Sequence, residues 1–230
     1  MKALINYQIA EEFSKATGIE AVALKPYKLL DAPVAAHADM LFCILDKTVF
    51  CYKDYIAENR LESIIGGAGY DMVFVSKKCS ADYPNDISLN VLVMGKALFC
   101  NEKHTSKEIL DYAKLNGYTV VNVKQGYSAC STLVVDENTA ITSDIGVAKA
   151  ITKTGKNAFF VANNEIELPG YDCGFLGGAS GKIGGSVCFF GDVSSLQDGK
   201  KIIEVLRKKN RGIITISSGR VYDFGGIKLL

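Results

Sequence analysis

The chain has 230 residues, 48% of them hydrophobic, and its 26 basic side chains nearly balance 25 acidic ones, for a formal net charge of +1. This length suits one large domain or two small ones, and the even charge argues against a binder of nucleic acid or membrane surfaces. No stretch approaches the roughly 18 uninterrupted apolar residues of a membrane helix, and no signal peptide precedes the first elements. We therefore expect a soluble, cytoplasmic protein.

The seven cysteines and two histidines do not form a metal-binding pattern. No C-x-x-C pair occurs, and scattered cysteines fit a reducing compartment. Four cysteines lie in apolar, strand-like stretches and are expected in the core: Cys43, Cys51, Cys100 and Cys188. Cys79 follows two lysines and is expected to be exposed. The sequence predicts neither a metal site nor another cofactor.

The first half of the chain predicts a strand, a helix and a strand, followed by two segments with the order β-β-α-β. The N-terminal elements are expected at 3–6, 8–18 and 19–25. The next segment predicts strands and a helix at 39–46, 48–52, 58–69 and 71–76. The one after it predicts them at 87–95, 97–100, 105–117 and 118–124, with Thr105 or Ser106 as the helix N-cap.

The second half repeats this order twice and ends on a single strand. The expected elements lie at 131–136, 139–144, 145–155 and 157–162, and then at 174–181, 185–191, 198–210 and 212–217. The C-terminal stretch "YDFGGIKLL" at 222–230 supplies the first strand that the N-terminal elements lack. The starts of the units are about 43 to 49 residues apart, as expected of an internal repeat.

Five units therefore fill the chain as a single domain. They are 37–78, 86–125, 128–167, 171–218, and 219–230 joined with 1–26. A β-β-α-β unit cannot bury its apolar faces alone, so the copies must associate. Because one unit is split between the two ends, the termini are expected to meet and close a ring without free sheet edges. The alternative is an ordinary open α/β sheet without symmetry.

This organisation resembles the pentein fold, an α/β five-bladed propeller. The fold is that of arginine deiminases, dimethylarginine hydrolases and amidinotransferases, and also of a non-catalytic ribosome anti-association factor. The resemblance covers the whole chain at the level of architecture and is confined to short motifs at the level of sequence. Within the fold, the chain is most similar to a small bacterial branch.

The stretch "HADMLFCILDKTVF" at 37–50 resembles the H-x-D segment of the deiminases, where a histidine and an aspartate open a strand. The match implies that His37 is the general acid and base and that Asp39 is a carboxylate that holds the substrate. Histidine suits proton transfer because its pKa lies near neutrality. The alternative is a surface histidine in the loop after Pro33.

The stretch "QGYSACST" at 125–132 resembles the G-G-x-x-C turn before the nucleophilic cysteine of the deiminases, with Tyr127 in place of the second glycine. It lies two units after H-x-D, as in that family, and implies that Cys130 is the nucleophile. A cysteine nucleophile needs a lowered pKa or a nearby base, which His37 would supply. The alternative is a small buried cysteine at a tight strand start, with Cys173 as the second candidate thiol.

The stretch "YDFGGI" resembles the carboxylate-G-G element of the family, with Phe224 between Asp223 and the two glycines. The resemblance implies that Asp223 belongs to a clamp for a guanidinium group. The preceding unit should add a carboxylate, but its segment 176–185 has none, and its glycines favour close backbone approach rather than a phosphate loop. The other substrate-binding candidates lie at unit starts or turns: Asn90, Ser180, Lys182 and Asp144, with Asp172 as a further carboxylate. Asp144 and Asp172 also suit a turn or cap.

Two functions follow from these motifs. The first is a cysteine-dependent hydrolase or transferase of the guanidine-modifying type, which acts on a small amidine, guanidine or amide. The second is a non-catalytic binding protein that kept the fold and lost the clamp. Both imply a small-molecule ligand rather than nucleic acid or membrane, and the sequence carries no signal for an oligomeric state.

Overall fold

A computed structural model describes residues 1–162 and 165–230 and shows five separate three-stranded sheets in them. The chain begins with β1 (Lys2–Asn6), α1 (Ala10–Thr17) and β2 (Glu20–Leu24). The helix buries Ala10 and Phe13 and ends at Gly18, whose φ of 70° favours glycine. β1 and β2 pair in parallel, so the N-terminal strand, helix and strand were predicted correctly.

The second segment departs twice from the sequence prediction. Its elements are α2 (Ala38–Leu41), β3 (Phe42–Leu45), β4 (Thr48–Cys51), α3 (Lys53–Asn59), α4 (Glu62–Gly67) and β5 (Asp71–Phe74). The H-x-D residues open the short helix α2 and not a strand, and His37 stands at its N-cap position. The single helix expected at 58–69 is two helices, because Arg60 has a left-handed conformation with φ of 55°.

The third segment contains β6 (Leu92–Met94), β7 (Ala97–Cys100), α5 (Lys107–Leu115) and β8 (Thr119–Asn122). The strand expected at 87–95 is only three residues long. The residues before it form turns instead, since the N–H of Asn90 donates to the carbonyl of Ile87 and that of Val91 to Leu89. Ser106 occupies the N-cap position of α5, as predicted.

The fourth and fifth segments follow the predicted order. The fourth contains β9 (Thr132–Asp136), β10 (Thr139–Thr142), α6 (Ile145–Lys153) and β11 (Asn157–Phe160). The fifth contains β12 (Ser180–Ile183), β13 (Ser186–Phe189), α7 (Gly199–Lys208) and β14 (Gly212–Thr215). Residues 163 and 164 of the unit predicted at 128–167 lie outside the described residues.

The two ends of the chain share one sheet. β15 (Lys228–Leu229) pairs antiparallel with β1, with Ala3 opposite Leu229 and Leu4 opposite Lys228. The order β15-β1-β2 therefore repeats the pattern of the other four sheets, an antiparallel pair followed by a parallel pair. The alternative of a single open α/β sheet is therefore excluded, because the strands form five separate sheets. None of the sheets within the described ranges closes on itself. The two termini meet in one sheet as predicted, whereas closure of the five units into a ring stays a prediction.

The apolar core contains the four cysteines that the sequence places there, and all four are buried. The prediction for Cys79 was wrong, because this side chain is only 6% exposed. It packs in the same apolar cluster as Tyr27 and Tyr52. The two lysines before it therefore do not decide its environment, since a packed tertiary contact outweighs polar neighbours in sequence.

Candidate active site

The first strands of all five units line one cavity of about 280 Å³, which we call the five-strand cavity. Each first strand contributes at least one lining residue: Ile44, Val93, Leu133, Gly181 and Leu229. β9 packs against both β6 and β12, so neighbouring first strands are in contact. The first strands of the five units therefore converge on one cavity. Asp39, Lys182 and Lys228 also line this cavity.

A second cavity of about 230 Å³ brings together three of the predicted site residues, His37, Cys130 and Asp223. We call it the thiol cavity. Its other lining residues are mostly apolar or aromatic: Val34, Met40, Tyr127, Leu168, Tyr171, Asp172, Cys173 and Phe175. The side chains of His37 and Cys130 thus face a common space, although no hydrogen bond joins them in the described part of the chain.

Glycines allow the segments that carry these side chains to approach closely. A Cβ on Gly178 would lie 2.0 Å from Oδ1 of Asp223, and one on Gly225 would lie 2.3 Å from Cα of His37. A Cβ on Gly177 would lie 2.3 Å from the carbonyl oxygen of Ala129 and 2.7 Å from that of Cys130. The prediction that the glycine-rich segment serves close backbone approach is therefore confirmed.

His37 and Asp223 form the polar end of the thiol cavity. Nδ1 of His37 lies 3.7 Å from Oδ1 of Asp223, and both side chains are only 2% exposed. The carboxylate accepts hydrogen bonds from the N–H groups of Phe175 and Gly225, each at 2.9 Å. His37 is therefore not the surface histidine of the alternative interpretation, and Asp223 is fixed in place beside its ring.

Asp39 is a buried carboxylate beside the thiol of Cys130. It is 3% exposed, and neither of its oxygens accepts a hydrogen bond from a nitrogen or oxygen donor of a described residue, although the neighbouring thiol interacts with the carboxylate. Burial raises its pKa to about 6; the charge of His37 opposes this rise, and that of Asp223 adds to it. A buried carboxylate usually has a partner, because an unpaired charge in the interior is costly. The unpaired oxygens mark a place where a cationic ligand would be stabilised.

Asn90 connects Asp39 to Cys130. Its Nδ2 lies 2.8 Å from Sγ of Cys130 and donates to the carbonyl of Asp39 at 3.2 Å. Its Oδ1 accepts from the N–H of Ala129 at 2.8 Å. The predicted substrate-binding amide is therefore occupied by protein contacts that hold the two segments together.

The surroundings of Cys130 disfavour its thiolate form. Burial, and then the negative charges of Asp39 and Asp223, raise its pKa well above the usual range. Of the two ways to activate the thiol named above, a lowered pKa and a nearby base, the site provides no lowered pKa, so activation would depend on His37 as the base. A cation placed beside the two carboxylates would reverse their effect, because it would neutralise the charges that disfavour the thiolate.

Three of the predicted substrate-binding residues lie apart from Cys130. Ser180 and Lys182 line the five-strand cavity, and Oγ of Ser180 donates to the carbonyl of Leu176 at 2.6 Å. Asp144 lines neither cavity, since it caps α6 by accepting from the N–H of Val147 and is also bound by Nε2 of Gln125. Its sequence signal was that of a helix N-cap.

The aromatic wall of the thiol cavity was not found from the sequence. The ring centroids of Tyr127 and Phe175 are 6.1 Å apart, and Tyr83 packs on the other side of Tyr127 at 5.8 Å. The one available signal was Tyr127 itself, which stands where the family motif has a glycine. Phe175 and Tyr171 carry no such mark, because only the tertiary structure brings their loop to Cys130.

Two further observations concern the described residues as a whole. Among the described residues, no group of three or more His, Cys, Asp or Glu side chains could hold a metal ion. Among the helices of residues 1–162 and 165–230, none has the length and apolar character needed to cross a membrane.

Solved structures with the same fold include three guanidine-modifying enzymes. DDAH from Pseudomonas aeruginosa, a mutant complexed with citrulline, is 9% identical with a TM-score of 0.55, over 97% of this chain and 87% of that one. C. jejuni agmatine deiminase is 12% identical with a TM-score of 0.53, over 90% and 72%. An inosamine-phosphate amidinotransferase from Streptomyces griseus is 12% identical with a TM-score of 0.52, over 95% and 75%.

These similarities confirm that the chain has the pentein fold predicted from its sequence. No curated protein sequence matches it significantly. A family model does match, over residues 3–228, which is nearly the whole length. The chain therefore belongs to the family described as Family of unknown function (DUF6873).

Proposed function

We propose that the protein is a cysteine-dependent hydrolase or transferase of the guanidine-modifying type, acting on a small amidine or guanidine. The observation that carries the proposal is the buried carboxylate of Asp39, which interacts with the thiol of Cys130 and accepts no hydrogen bond from a nitrogen or oxygen donor of a described residue. We further propose that the five units form one closed five-bladed domain, with β15 and β1 completing the last blade. In that arrangement the unit starts that carry Asp39, Cys130 and Asp223 surround a common axis.

The proposed reaction begins when the cationic head of the substrate binds beside Asp39 and Asp223. Its charge lowers the pKa of Cys130 from the raised value of the ligand-free protein. His37 accepts the proton of the Cys130 thiol, and the sulfur attacks the sp² carbon and forms a C–S bond. The C–N bond breaks, and the leaving amine takes that proton from His37. His37 then removes a proton from a water or from an acceptor amine, which attacks the same carbon; the C–S bond breaks, and the sulfur takes this proton back from His37.

The similarity to the three enzymes supports this proposal at the level of fold only. Those proteins include a deiminase and an amidinotransferase, and one of the structures contains citrulline. One fold hosts many functions, so the argument for this chain depends on its own site. The residues that carry the site are His37, Cys130, Asp39 and Asp223.

The decisive experiment compares 2-chloroacetamidine with 2-chloroacetamide, two alkylating agents of the same shape that differ in charge. We expect the amidine to label Cys130 faster than the amide by at least about tenfold after correction for their rates with a free thiol, because only the cation relieves the carboxylate charges. Labelled residues are identified by peptide mass spectrometry. The proposal fails if both agents label Cys130 at the same corrected rate.

Two variants make this test specific to one sulfur. Cys130→Ser should lose the fast labelling entirely, because the sulfur beside Asp39 and Asp223 has been removed. Cys173→Ser is the matched control, since Cys173 lines the same cavity, and it should keep the fast labelling. Unchanged amidine labelling of Cys130→Ser would sink the assignment of the nucleophile.

A non-catalytic binding protein is the second candidate, and the raised pKa of Cys130 favours it. The segment that should supply another clamp carboxylate also has none in 176–185. In this case a small amidine would bind, as detected by calorimetry, without increasing the alkylation of Cys130. The paired labelling experiment therefore separates the two candidates.

A further inference from the structure

The thiol cavity changes character from its buried end to its mouth. The most buried lining residues are His37, Cys130 and Asp223, each at most 4% exposed, together with the apolar Met40. The middle is walled by the half-buried apolar or aromatic side chains of Val34, Tyr127 and Phe175 and by the buried Leu168. Tyr171 and Asp172 are exposed and stand at the mouth. A ligand that reaches Cys130 must therefore place its remainder against an apolar wall.

Both tyrosine hydroxyls in this cavity already donate to carboxylates. The hydroxyl of Tyr127 donates to Asp86 at 2.5 Å, and that of Tyr171 donates to Asp31 at 2.8 Å. Each hydroxyl has a single proton, so neither is left to bind an anionic group of a ligand. The two tyrosines therefore contribute their rings to the wall and not hydrogen-bond donors.

The charges around the thiol cavity are almost all negative. Asp223 and Asp172 line it, and Asp86 and Asp31 stand behind the two tyrosines. Among the described residues, no lysine or arginine lines this cavity, and His37 is paired with Asp223. A carboxylate on the substrate would thus enter an apolar space that faces like charges, which costs free energy.

We propose that the substrate class is a monocationic amidine or guanidine with a short apolar or aromatic tail and no carboxylate. This inference rests on the proposed function, because it assumes that the cationic head binds beside Asp39 and Asp223. The tail packs against Phe175, Tyr127 and Leu168. A cavity of about 230 Å³ has room for roughly eight waters of about 30 Å³ each, which suits a molecule of roughly ten non-hydrogen atoms.

The test uses two guanidines of the same shape. One is 4-methylpentylguanidine, and the other is 4-guanidinobutanoate, in which a carboxylate replaces the terminal branched carbons. Calorimetry on the whole protein should show at least about tenfold tighter binding of the apolar compound, because its tail is buried without loss of a hydrated charge. Equal or tighter binding of 4-guanidinobutanoate would overturn the inference, and so would failure of both to bind at millimolar concentration.

A charge reversal at the mouth tests the cause of this preference. Asp172→Lys changes an exposed side chain, so the fold should be retained. It should strengthen binding of 4-guanidinobutanoate by about three- to tenfold and leave 4-methylpentylguanidine nearly unchanged. No change in the ratio of the two affinities would mean that charge at the mouth does not select the substrate, which contradicts the inference.

The two proposals fail in different ways. Fast labelling of Cys130 by 2-chloroacetamidine together with preferred binding of 4-guanidinobutanoate would leave the thiol chemistry standing and remove the proposed substrate class. Preferred binding of 4-methylpentylguanidine without charge-dependent labelling would instead support the tail preference in a binding protein. If neither the binding preference nor the charge-dependent labelling is observed, both proposals fail.

Discussion

The two cavities lie on either side of a thin partition, formed where Gly177 packs against residues 129–132, and they differ in charge. The five-strand cavity is lined by Lys182 and Lys228, and the thiol cavity by Asp172 and Asp223. Asp39 lines the first cavity while its charge acts on Cys130, which lines the second. The first strands thus supply a framework that is similar in every unit, whereas the residues just before those strands supply the reactive groups. This comparison indicates that the geometry of the site depends on how closely the segments on the two sides of the partition approach each other.

The largest expected effect comes from thickening that partition. Gly177→Ala would place a Cβ within 2.7 Å of three backbone carbonyl oxygens, those of Ala129, Cys130 and Thr132. Backbone cannot move as a side chain can, so we expect the free energy of unfolding to fall by about 3–5 kcal/mol. Chemical denaturation measures this loss. A fall of less than about 1 kcal/mol would show that the two cavities are not held apart by this contact.

The control for this change is Gly185→Ala, in the same glycine-rich region. A Cβ on Gly185 would meet nothing within 4 Å. Its free energy of unfolding should therefore stay within about 0.5 kcal/mol of the wild type. A large effect at Gly185 as well would mean that backbone freedom, and not the close approach at Gly177, determines the cost.

A smaller loss is expected when the link between Asp39 and Cys130 is removed. Asn90→Ala leaves the N–H of Ala129 without its acceptor and removes the donor to the sulfur. We expect a loss of about 2–3 kcal/mol in denaturant and slower alkylation of Cys130, because the amide opposes the rise of its pKa. Asn116→Ala is the matched control, since its amide is exposed. Equal losses in the two variants would contradict a linking role for Asn90.

Much of the fold could be predicted from the sequence, because strand and helix patterns are local. The split unit was found because 222–230 and 3–6 each read as a strand with a missing partner. The side chains that meet at the partition could be suggested only by family resemblance. The helix start at His37, the burial of Cys79 and the wall residue Phe175 depend on contacts between distant segments, which no local pattern records.

The next expected effect is a gain in stability at the cost of function. The pKa of Asp39 is about 6 in the folded protein, above the ordinary value, so its ionisation disfavours the fold. The wild type therefore loses stability as the pH rises from about 4 to 6, and this loss stays constant above pH 6. Asp39→Asn should be more stable by about 1–3 kcal/mol above pH 6 and nearly equal at pH 4.

Thermal unfolding of Asp39→Asn and wild type at pH 4, 6 and 8 measures this difference. The same variant should lose the preference of Cys130 for 2-chloroacetamidine over 2-chloroacetamide, because one of the two carboxylates that the cation neutralises is gone. Greater stability together with retained preference would place the cationic head away from Asp39. Lower stability at pH 8 would show instead that the carboxylate is paired in solution.

The smallest expected effect acts across the partition, from the five-strand cavity on the thiol. Lys228 lines the five-strand cavity, and its positive charge opposes the rise of the pKa of Asp39. Lys228→Met keeps much of the apolar stem and removes the charge, so the pKa of Asp39 should rise further. The pH midpoint of the amidine-dependent labelling of Cys130 should then move upward by less than about one unit. Lys228→Arg keeps the charge and should leave the pH midpoint unchanged. A shift of equal size in Lys228→Arg would show that the effect comes from packing. A downward shift in Lys228→Met would contradict an electrostatic connection between the two cavities.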